Sequence, residues 1–359
     1  MDDRLQPLRT AIDAVDRQLI DLLNQRAQLA MEVGRIKHEA GAPVYRPERE
    51  AEVLRKIGTL NAGPLTEAGV TGIWREVMAA CRALERPVTV AFLGPHGTFS
   101  EMALQKQFGN AVLREPCASI DDVFRAVEAA GAEYGIVPVE NSTEGSVTRT
   151  LDLLLATPLK IIAEVALPVH HNLLTLDGSM QQVKRICAHS QALAQCTEWL
   201  GHHYPDIERA PVSSNGEAAR LASTDPAVAA IAGDIAAQRY GLMAVATHIQ
   251  DDPQNRTRFV VLGKQDTTPQ SAPGRDKTSL ILAVPNKAGA VFHMLAPLDA
   301  HGVSMTRFES RPARSGTWEY WFYVDIEGHE KDPKVARALD ALREVCAFYK
   351  SLGSYPAAG

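Results

Sequence analysis

The sequence has little that would direct the protein out of the cytoplasm. No run of about 18 apolar residues occurs, so no membrane span is predicted. The first ten residues, MDDRLQPLRT, are polar and no apolar stretch follows them, so no secretory signal is expected. The five cysteines are scattered, odd in number and without a CxxC pair, which argues against a disulfide framework or a cysteine zinc site. These absences predict a cytoplasmic protein with reduced thiols.

The chain also lacks an excess of positive charge. Its formal net charge is −6, which argues against a nucleic-acid surface, because that surface needs a basic stripe. The pair His170-His171 has no Asp or Cys at a spacing typical of metal sites. We therefore expect no nucleic-acid partner, no metal and no other cofactor.

The 359 residues are enough for two or three domains. Residues 1–87 contain three segments with apolar residues at three- and four-residue steps, which predicts an all-α unit. The helices are expected over residues 4–40, Pro47 to Leu60 and Glu67 to Leu84. Because the first helix is too long to bury its apolar face on one short neighbour, it needs a partner helix or a partner subunit.

The sequence pattern changes after Arg86-Pro87. Strand-like and helix-like segments alternate from VTVAFLG to TRFVVLG, which predicts an α/β domain over residues 88–265 with a largely parallel sheet. A polar stretch rich in Pro, Ser and Thr predicts a linker over residues 266–277. The order βαββαβ follows over residues 278–359, which predicts an α+β, ferredoxin-like domain.

Three cationic side chains of the first helix stand at widely spaced positions, Arg9, Arg26 and Lys37. Arg26 and Lys37 are eleven residues apart, so they differ by only about 20° around the helix axis and lie on one face. Arg9 lies off that face and far along the axis, where only an antiparallel partner helix would bring it to the other two. Fixed guanidinium and ammonium groups of this kind suit a dianionic ligand.

The stretches LRTAIDAVDRQLIDLLNQR, AMEVGRIK and YRPERE resemble the all-helical chorismate mutases over residues 4–54. The resemblance implies two interlocked protomers, with each site borrowing one arginine from the other subunit. The implied chorismate-binding set is Arg9 of the partner subunit with Arg26, Lys37, Arg49 and Glu50. Because the rearrangement to prephenate is pericyclic, the site must hold the folded conformer and stabilise charge on the ether oxygen.

Two positions depart from the chorismate mutase pattern. Glu85 stands where several relatives have glutamine, and Cys81 stands where some have serine. In this reading Lys37 bonds the ether oxygen from one side and Glu85 from the other. A carboxylate would repel that oxygen, so Glu85 must be protonated to donate. The sequence therefore predicts that mildly acidic pH favours the mutase.

Five motifs mark the α/β segment. They are Gly94-Pro95-His96-Gly97-Thr98-Phe99-Ser100, Val137-Pro138-Val139-Glu140-Asn141-Ser142, His189-Ser190-Gln191 with Gln195 and Cys196, Ser213-Ser214-Asn215, and Asn255-Arg256-Thr257-Arg258-Phe259. In order and spacing they resemble prephenate dehydratase over residues 88–264. The resemblance implies two α/β subdomains like those of periplasmic binding proteins, with the site in the cleft and the last strand returning to the first subdomain.

The resemblance also implies residue roles in that cleft. Thr257 would bond the departing hydroxyl of prephenate, and Glu140 would be the proton source if burial raises its pKa. The residues expected to position the substrate are Thr98, Ser100, Asn141, Ser142, Ser190 and Gln195. Arg256 or Arg258 would pair with a substrate carboxylate, and the sequence does not choose between them.

The C-terminal segment carries two further motifs. Gly289-Ala290-Val291 stands at the first strand-to-helix turn, and Glu309-Ser310-Arg311-Pro312 stands in the next strand. Both resemble motifs of the ACT domain over residues 278–356, where Val291 replaces the usual leucine. The resemblance implies that both motifs line a phenylalanine site at a subunit interface. Glu309 would anchor the ammonium group or hold the interface.

Together these resemblances imply a multidomain enzyme that converts chorismate to prephenate, then to phenylpyruvate with loss of CO2 and water. Phenylalanine would inhibit it, and a homodimer or larger assembly would form through the mutase and ACT domains. One alternative is a non-catalytic amino-acid-binding sensor. Another is a dehydratase that prefers arogenate. The sequence leaves both open, as it does the choice between dimer and tetramer.

Overall fold

The computed structural model describes residues 4–270, 274–313 and 320–358. The chain divides into two compact units. One contains the chain up to Val88 with Phe108–Leu113, and the other contains Thr89–Gln107 with the chain from Arg114 onward. The predicted fold class is confirmed: an all-α domain, a two-subdomain α/β domain and a ferredoxin-like α+β domain follow in that order. The domain boundaries drawn from sequence stay predictions.

The first unit contains three helices of unequal length. They are α1 (Leu5–Glu39), α2 (Pro47–Leu60) and α3 (Glu67–Glu85). The Thr66 hydroxyl caps α3 by accepting from the Gly69 N–H at 3.1 Å, which satisfies one of the free donors of the first turn. None of the described residues of α1 is buried, although the helix carries an apolar stripe.

The α/β domain contains two mixed sheets. Its elements are β1 (Thr89–Leu93), α4 (Phe99–Phe108), β2 (Leu113–Cys117), α5 (Ile120–Glu128), β3 (Tyr134–Asn141), β4 (Gly145–Ser146), α6 (Thr148–Ala156), β5 (Lys160–Pro168), β6 (Asn172–Thr175), β7 (Arg185–His189), α7 (Ser190–Ala194), α8 (Thr197–His203), β8 (Glu208–Val212), α9 (Asn215–Ala222), β9 (Val228–Ala232), α10 (Asp234–Tyr240), β10 (Met243–Ala246) and β11 (Arg256–Gly263). The strand orders are β2-β1-β3-β11-β5, with β4 beside β3, and β10-β6-β9-β7-β8.

The prediction of a largely parallel sheet is wrong. Strand β11 returns from the second sheet and inserts between β3 and β5, antiparallel to both. In the second sheet β6 likewise runs antiparallel to β9 and β10, whereas β7 is parallel to β8 and β9. Local alternation of strand and helix does not reveal these returns, because strand direction depends on how the chain crosses between the subdomains.

The ferredoxin-like domain is built from β12 (Asp276–Ala283), α11 (Ala290–Ala300), β13 (Met305–Pro312), β14 (Tyr320–Glu327), α12 (Pro333–Val345) and β15 (Phe348–Pro356). Its antiparallel sheet has the order β13-β14-β12-β15. One face packs on α11 and α12. The other face contributes Ile281, Tyr323, Leu352 and Tyr355 to a core shared with Val137 and Val260 of the first α/β sheet.

The described part of the predicted linker is packed rather than loose. Thr267 and Gln270 are buried, and the Gln270 side chain donates to Asp276 at 2.8 Å, where β12 already begins. Residues 271–273 lie outside the described ranges. The third domain is therefore joined to the α/β domain by a shared core as well as by the chain.

Gly353 allows a close backbone approach between these two sheets. Its φ is +126°, and a Cβ there would lie 2.4 Å from the carbonyl oxygen of Ile161 in β5. We expect Gly353→Ala to destabilise the unit by about 2–3 kcal/mol, because backbone must shift to relieve the overlap. Urea unfolding measures this. In the control Gly131→Ala the nearest atom is 3.5 Å from the new Cβ, so equal unfolding midpoints for the two variants would contradict the prediction.

Candidate active sites

In the helical unit, Lys37 of α1 meets Glu85 at the end of α3. Lys37 Nζ lies 3.0 Å from Glu85 Oε2 and donates to the Val44 carbonyl at 3.1 Å. Gly34 makes this contact possible, because a Cβ at that position would lie 2.8 Å from the Glu85 Cβ. The ammonium group is therefore held at the junction of α1 and α3.

Glu50 is held from α3 by a residue that sequence reasoning missed. The Arg82 side chain is only 5% exposed and donates to Glu50, and the neighbouring Cys81 is buried too. Burial raises the pKa of the Glu50 carboxyl, although the Arg82 charge opposes the shift. A basic residue on a predicted amphipathic helix usually faces water, so the sequence offered no signal for Arg82.

The rest of the predicted cationic set is spread along the helices. Arg49 is exposed and pairs with Glu52 at 3.3 Å. Arg26 is partly buried, whereas Arg9 is exposed and precedes Lys37 by 28 positions, which is about 42 Å along a straight helix. One protomer therefore gathers Lys37 and Glu85 but does not bring Arg9 to them.

A cavity of about 890 Å³ lies between the two sheets of the α/β domain. Five of the residues predicted for the dehydratase site line it: Thr98, Ser100, Asn141, Gln195 and Thr257. They come from the turn before α4 and its first turn, the ends of β3 and β11, and the segment after α7. The structure thus brings together residues up to 159 positions apart in sequence.

Asn141 fixes the orientation of Thr257. Its Nδ2 donates to Thr257 Oγ1 and to Asn255 Oδ1, both at 2.9 Å. Its Oδ1 accepts from the backbone N–H groups of Thr143 at 3.0 Å and Glu144 at 3.2 Å, which sets the amide orientation. Since the Thr257 oxygen accepts from Asn141, the hydroxyl proton of Thr257 is left to donate elsewhere.

Gln195 links the two subdomains through His171 and Glu144. The Gln195 Nε2 donates to the Glu144 carboxylate at 3.3 Å, so its Oε1 faces His171 Nε2 at 2.9 Å and accepts from it. Burial lowers the pKa of the His171 imidazole, so the neutral ring is favoured. His171 was considered as part of a metal pair from sequence, but it lines the cavity instead.

The turn before α4 is held by the buried carboxylate of Glu101. Burial opposes its charge, but the Gly97 N–H at 2.6 Å, His96 Nδ1 at 3.0 Å and Arg114 at 3.2 Å hold the pKa of Glu101 below its ordinary value. His96 lines the cavity; it belongs to the first of the five motifs, but the sequence assigned it no role of its own. Among the residues that the structure describes, the cavity lining includes no Lys or Arg; its other polar groups include His189 and Ser213, Ser214 and Asn215 at the start of α9.

Several predicted dehydratase residues lie elsewhere. The Ser142 hydroxyl accepts from the Arg256 N–H at 2.9 Å, and Ser190 is exposed; neither lines the cavity. Glu140 points to the opposite face of β3 from Asn141 and lies 3.1 Å from Arg307. This geometry argues against Glu140 as the proton source.

Neither candidate arginine faces the cavity. Arg256 is exposed, and Arg258 is turned toward the ferredoxin-like domain, where it pairs with Asp325 at 2.7 Å and Glu164 at 3.1 Å. Burial alone would lower the pKa of Arg258, but the Asp325 and Glu164 carboxylates raise it above its ordinary value. The expectation that one of the two holds a substrate carboxylate is therefore not supported.

In the ferredoxin-like domain, a cavity of about 240 Å³ lies at the start of α11. Gly289, Ala290 and Val291 line it together with Tyr320 and Phe322. Gly289 precedes α11 with a φ of +77°, a conformation that favours glycine.

The second predicted phenylalanine motif does not line this cavity. Glu309 contacts Ser146, and Arg311 pairs with Asp152 at 3.0 Å, so both face the α/β domain. Ser310 points to the other side of the strand, as a cross-strand partner of Phe322. Within one chain the two motifs therefore do not line a common cavity, and the expectation that they line a phenylalanine site at a subunit interface stays a prediction.

The helical domain and the α/β domain each gather polar side chains at one site, as the domains of an enzyme do, and the ferredoxin-like domain holds a smaller cavity. Within the described ranges no helix has the length and apolar character needed to cross a membrane, and no cluster of three or more potential metal ligands occurs.

Comparisons with known proteins agree with this architecture. The family models for Chorismate mutase type II, Prephenate dehydratase and the ACT domain match residues 8–86, 90–267 and 278–344. Bifunctional chorismate mutase/prephenate dehydratases from Neisseria gonorrhoeae and Pseudomonas aeruginosa are 52% and 46% identical to the chain, over 100% and 99% of it and 98% of each relative. A prephenate dehydratase from Arthrobacter aurescens, solved in complex with L-Phe, has a TM-score of 0.69 at 36% identity, covering 76% of this chain and 90% of that one.

The chain belongs to the bifunctional chorismate mutase/prephenate dehydratase family. The family predicted from the sequence motifs is thereby confirmed, and with it both enzyme activities. The alternative of a non-catalytic sensor protein is not supported.

Gly216 provides a test of the dehydratase cavity. A Cβ on Gly216 in α9 would lie 2.5 Å from the His96 carbonyl oxygen, so Gly216→Ala must push the two subdomains apart at the cavity. We expect dehydratase kcat/KM to fall by about tenfold or more, because a small misplacement of catalytic groups is costly. Mutase activity should be unchanged. Gly201→Ala, whose new Cβ meets nothing closer than 4.0 Å, is the control, and equal dehydratase rates would refute this role for Gly216.

Proposed function

We propose that Lys37 and Glu85 contact the ether oxygen of chorismate in the helical domain. Their side chains already meet in one protomer, at the end of α3. In this proposal Arg26, Arg49 and Glu50 hold the carboxylates and the hydroxyl of the substrate. Arg9 reaches the site from a second subunit, because the length of α1 keeps it far from Lys37 within one chain.

The exposed apolar stripe of α1 supports the partner subunit. Leu8, Ile12, Val15, Leu19 and Leu22 are each more than half exposed. A stripe of this length on one helix is typical of an interface rather than of a monomer surface. The assembly proposed is a homodimer or a larger oligomer, placed in the cytoplasm in keeping with the free thiols of all five cysteines.

In the dehydratase, Thr257 is proposed to donate a hydrogen bond to the departing hydroxyl of prephenate. The bond from the ring to the carboxylate breaks and releases CO2, and its electron pair enters the ring. The departing hydroxyl takes one proton, supplied by solvent through the Thr257 hydroxyl, and leaves as water. The orientation imposed by Asn141 supports this role, because it leaves the Thr257 proton available. Ser100, Thr98 and Gln195 would position the carboxylates and the keto group.

The ferredoxin-like domain is proposed to bind phenylalanine at the cavity lined by Gly289, Ala290 and Val291. The similar dehydratase from Arthrobacter aurescens was solved in complex with L-Phe, which supports this ligand. Feedback inhibition then requires that phenylalanine bind one arrangement of the dehydratase more tightly than another.

One experiment tests these proposals on the full chain. Chorismate is supplied alone, and phenylpyruvate is followed by ultraviolet absorbance in the wild type and in Thr257→Val. The wild type should form phenylpyruvate and slow down when phenylalanine is added, whereas the variant should accumulate prephenate with a dehydratase kcat lower by about 100-fold. Thr257→Ser, which keeps the hydroxyl, is the control. Accumulation of prephenate by the wild type would instead favour the arogenate route.

A pH profile tests the proposed role of Glu85. If its carboxyl donates to the ether oxygen, the mutase rate falls as rising pH removes that proton, so activity is highest at mildly acidic pH. In Glu85→Gln the amide donates at every pH, and the profile should flatten. A wild-type mutase rate that is constant from acidic to alkaline pH would contradict the proposed role of Glu85.

A further inference from the structure

Strand β13 of the ferredoxin-like domain holds the β3–β4 hairpin of the dehydratase. Arg307 Nε lies 3.1 Å from Glu140 Oε2, and Arg307 Nη2 donates to Ser146 Oγ at 2.7 Å. Glu309 accepts from both Arg307 and Ser146. Glu140 and Ser146 are cross-strand partners in the hairpin, so one guanidinium group contacts both of its strands.

The loop of this hairpin orients the proposed catalytic threonine. Its residues Thr143 and Glu144 donate backbone N–H groups to Asn141, and Asn141 donates to Thr257. Because successive side chains of a strand point to opposite faces, Glu140 faces Arg307 while Asn141 faces the cavity. Glu140, which contacts the ferredoxin-like domain, is therefore adjacent in sequence to Asn141, which faces the cavity.

The neighbouring strand is anchored in the same way. Arg258 follows Thr257 in β11, is the cross-strand partner of Glu140, and pairs with Asp325 of β14 at 2.7 Å.

The Arg307 side chain is only 11% exposed, so its ion pairs are partly shielded from water. Such shielded, multiply bonded groups hold a backbone segment more firmly than exposed ion pairs do.

We propose that Arg307 is a positioning residue for the dehydratase reaction, which it supports by holding the β3–β4 hairpin so that Asn141 presents the Thr257 hydroxyl to the substrate. This inference rests on the role proposed above for Thr257. The ferredoxin-like domain then contributes to dehydration itself, and does so in the absence of phenylalanine.

The first test compares Arg307→Gln with Lys350→Gln in the full chain, with prephenate as substrate. Lys350 is a matched control, because this cation of the same domain bonds backbone carbonyls of Leu154, Leu155 and Thr157 and makes none of the contacts that hold the hairpin. Arg307→Gln should lower dehydratase kcat by about tenfold and change KM by less than about twofold. Lys350→Gln should keep the wild-type kcat. Equal kcat values in the two variants would overturn the proposal.

Two further variants separate positioning from loss of folding. Arg307→Lys keeps a charge for Glu140 but cannot bridge both strands, so it should recover part of the lost kcat. Glu140→Gln removes the other partner and should lower kcat by a similar factor. Mutase activity and the thermal unfolding midpoint are measured for each variant. A kcat loss that tracks the unfolding midpoint across all variants, Lys350→Gln included, would overturn the proposal.

A double-mutant cycle tests the route through Thr257. If Arg307 acts only by presenting the Thr257 hydroxyl, Arg307→Gln should cause no further loss of kcat in a Thr257→Val background. The same tenfold loss in both backgrounds would show that Arg307 acts independently, and would overturn this inference alone. Wild-type activity in Thr257→Val itself would overturn the proposed function of Thr257, and the inference with it.

Discussion

The pairing of β3 with β11 is the constraint on which the dehydratase depends. Thr257 lies opposite Asn141, and Arg258 lies opposite Glu140. Since side chains alternate along a strand, the first pair faces the cavity while the second faces the ferredoxin-like domain. A one-residue slip would exchange the two sets and place charged groups in the cavity. The ion pairs of Arg258 and Arg307 therefore specify the register as well as contribute to stability.

The helical domain was predictable from sequence because its signal is local. Apolar residues at helical spacing predicted α1, α2 and α3 to within about one residue of their bounds. The contact of Arg82 with Glu50 was not predictable, because it joins residues 32 positions apart and has no periodic signature. The partly buried Lys37 beside Glu85 was anticipated only through the resemblance of its motif to chorismate mutases.

In the α/β domain the sequence motifs predicted some features of the site but not others. The motifs identified the strands that form the cavity, and five of the predicted residues line it. Which residue of a motif faces the cavity depends on register and on the neighbouring sheet. The sequence suggested Glu140 as the proton source and Arg258 as one of two candidates for a substrate carboxylate. In the structure Glu140 pairs with Arg307 and Arg258 pairs with Asp325, and both partners belong to the ferredoxin-like domain. No local pattern in either motif records those distant partners.

The shared core would also limit how phenylalanine, the proposed effector, acts on the dehydratase. Tyr323 and Leu352 of the ferredoxin-like sheet pack in the same cluster as Val137 and Val260, which belong to β3 and β11. Packed cores resist continuous deformation. A shift of the ferredoxin-like sheet must therefore move strands β3 and β11 or break the contacts in the shared core. Strands β3 and β11 carry Asn141 and Thr257. A ligand that favours one position of that sheet therefore changes the free energy of presenting the Thr257 hydroxyl, without any contact with the substrate.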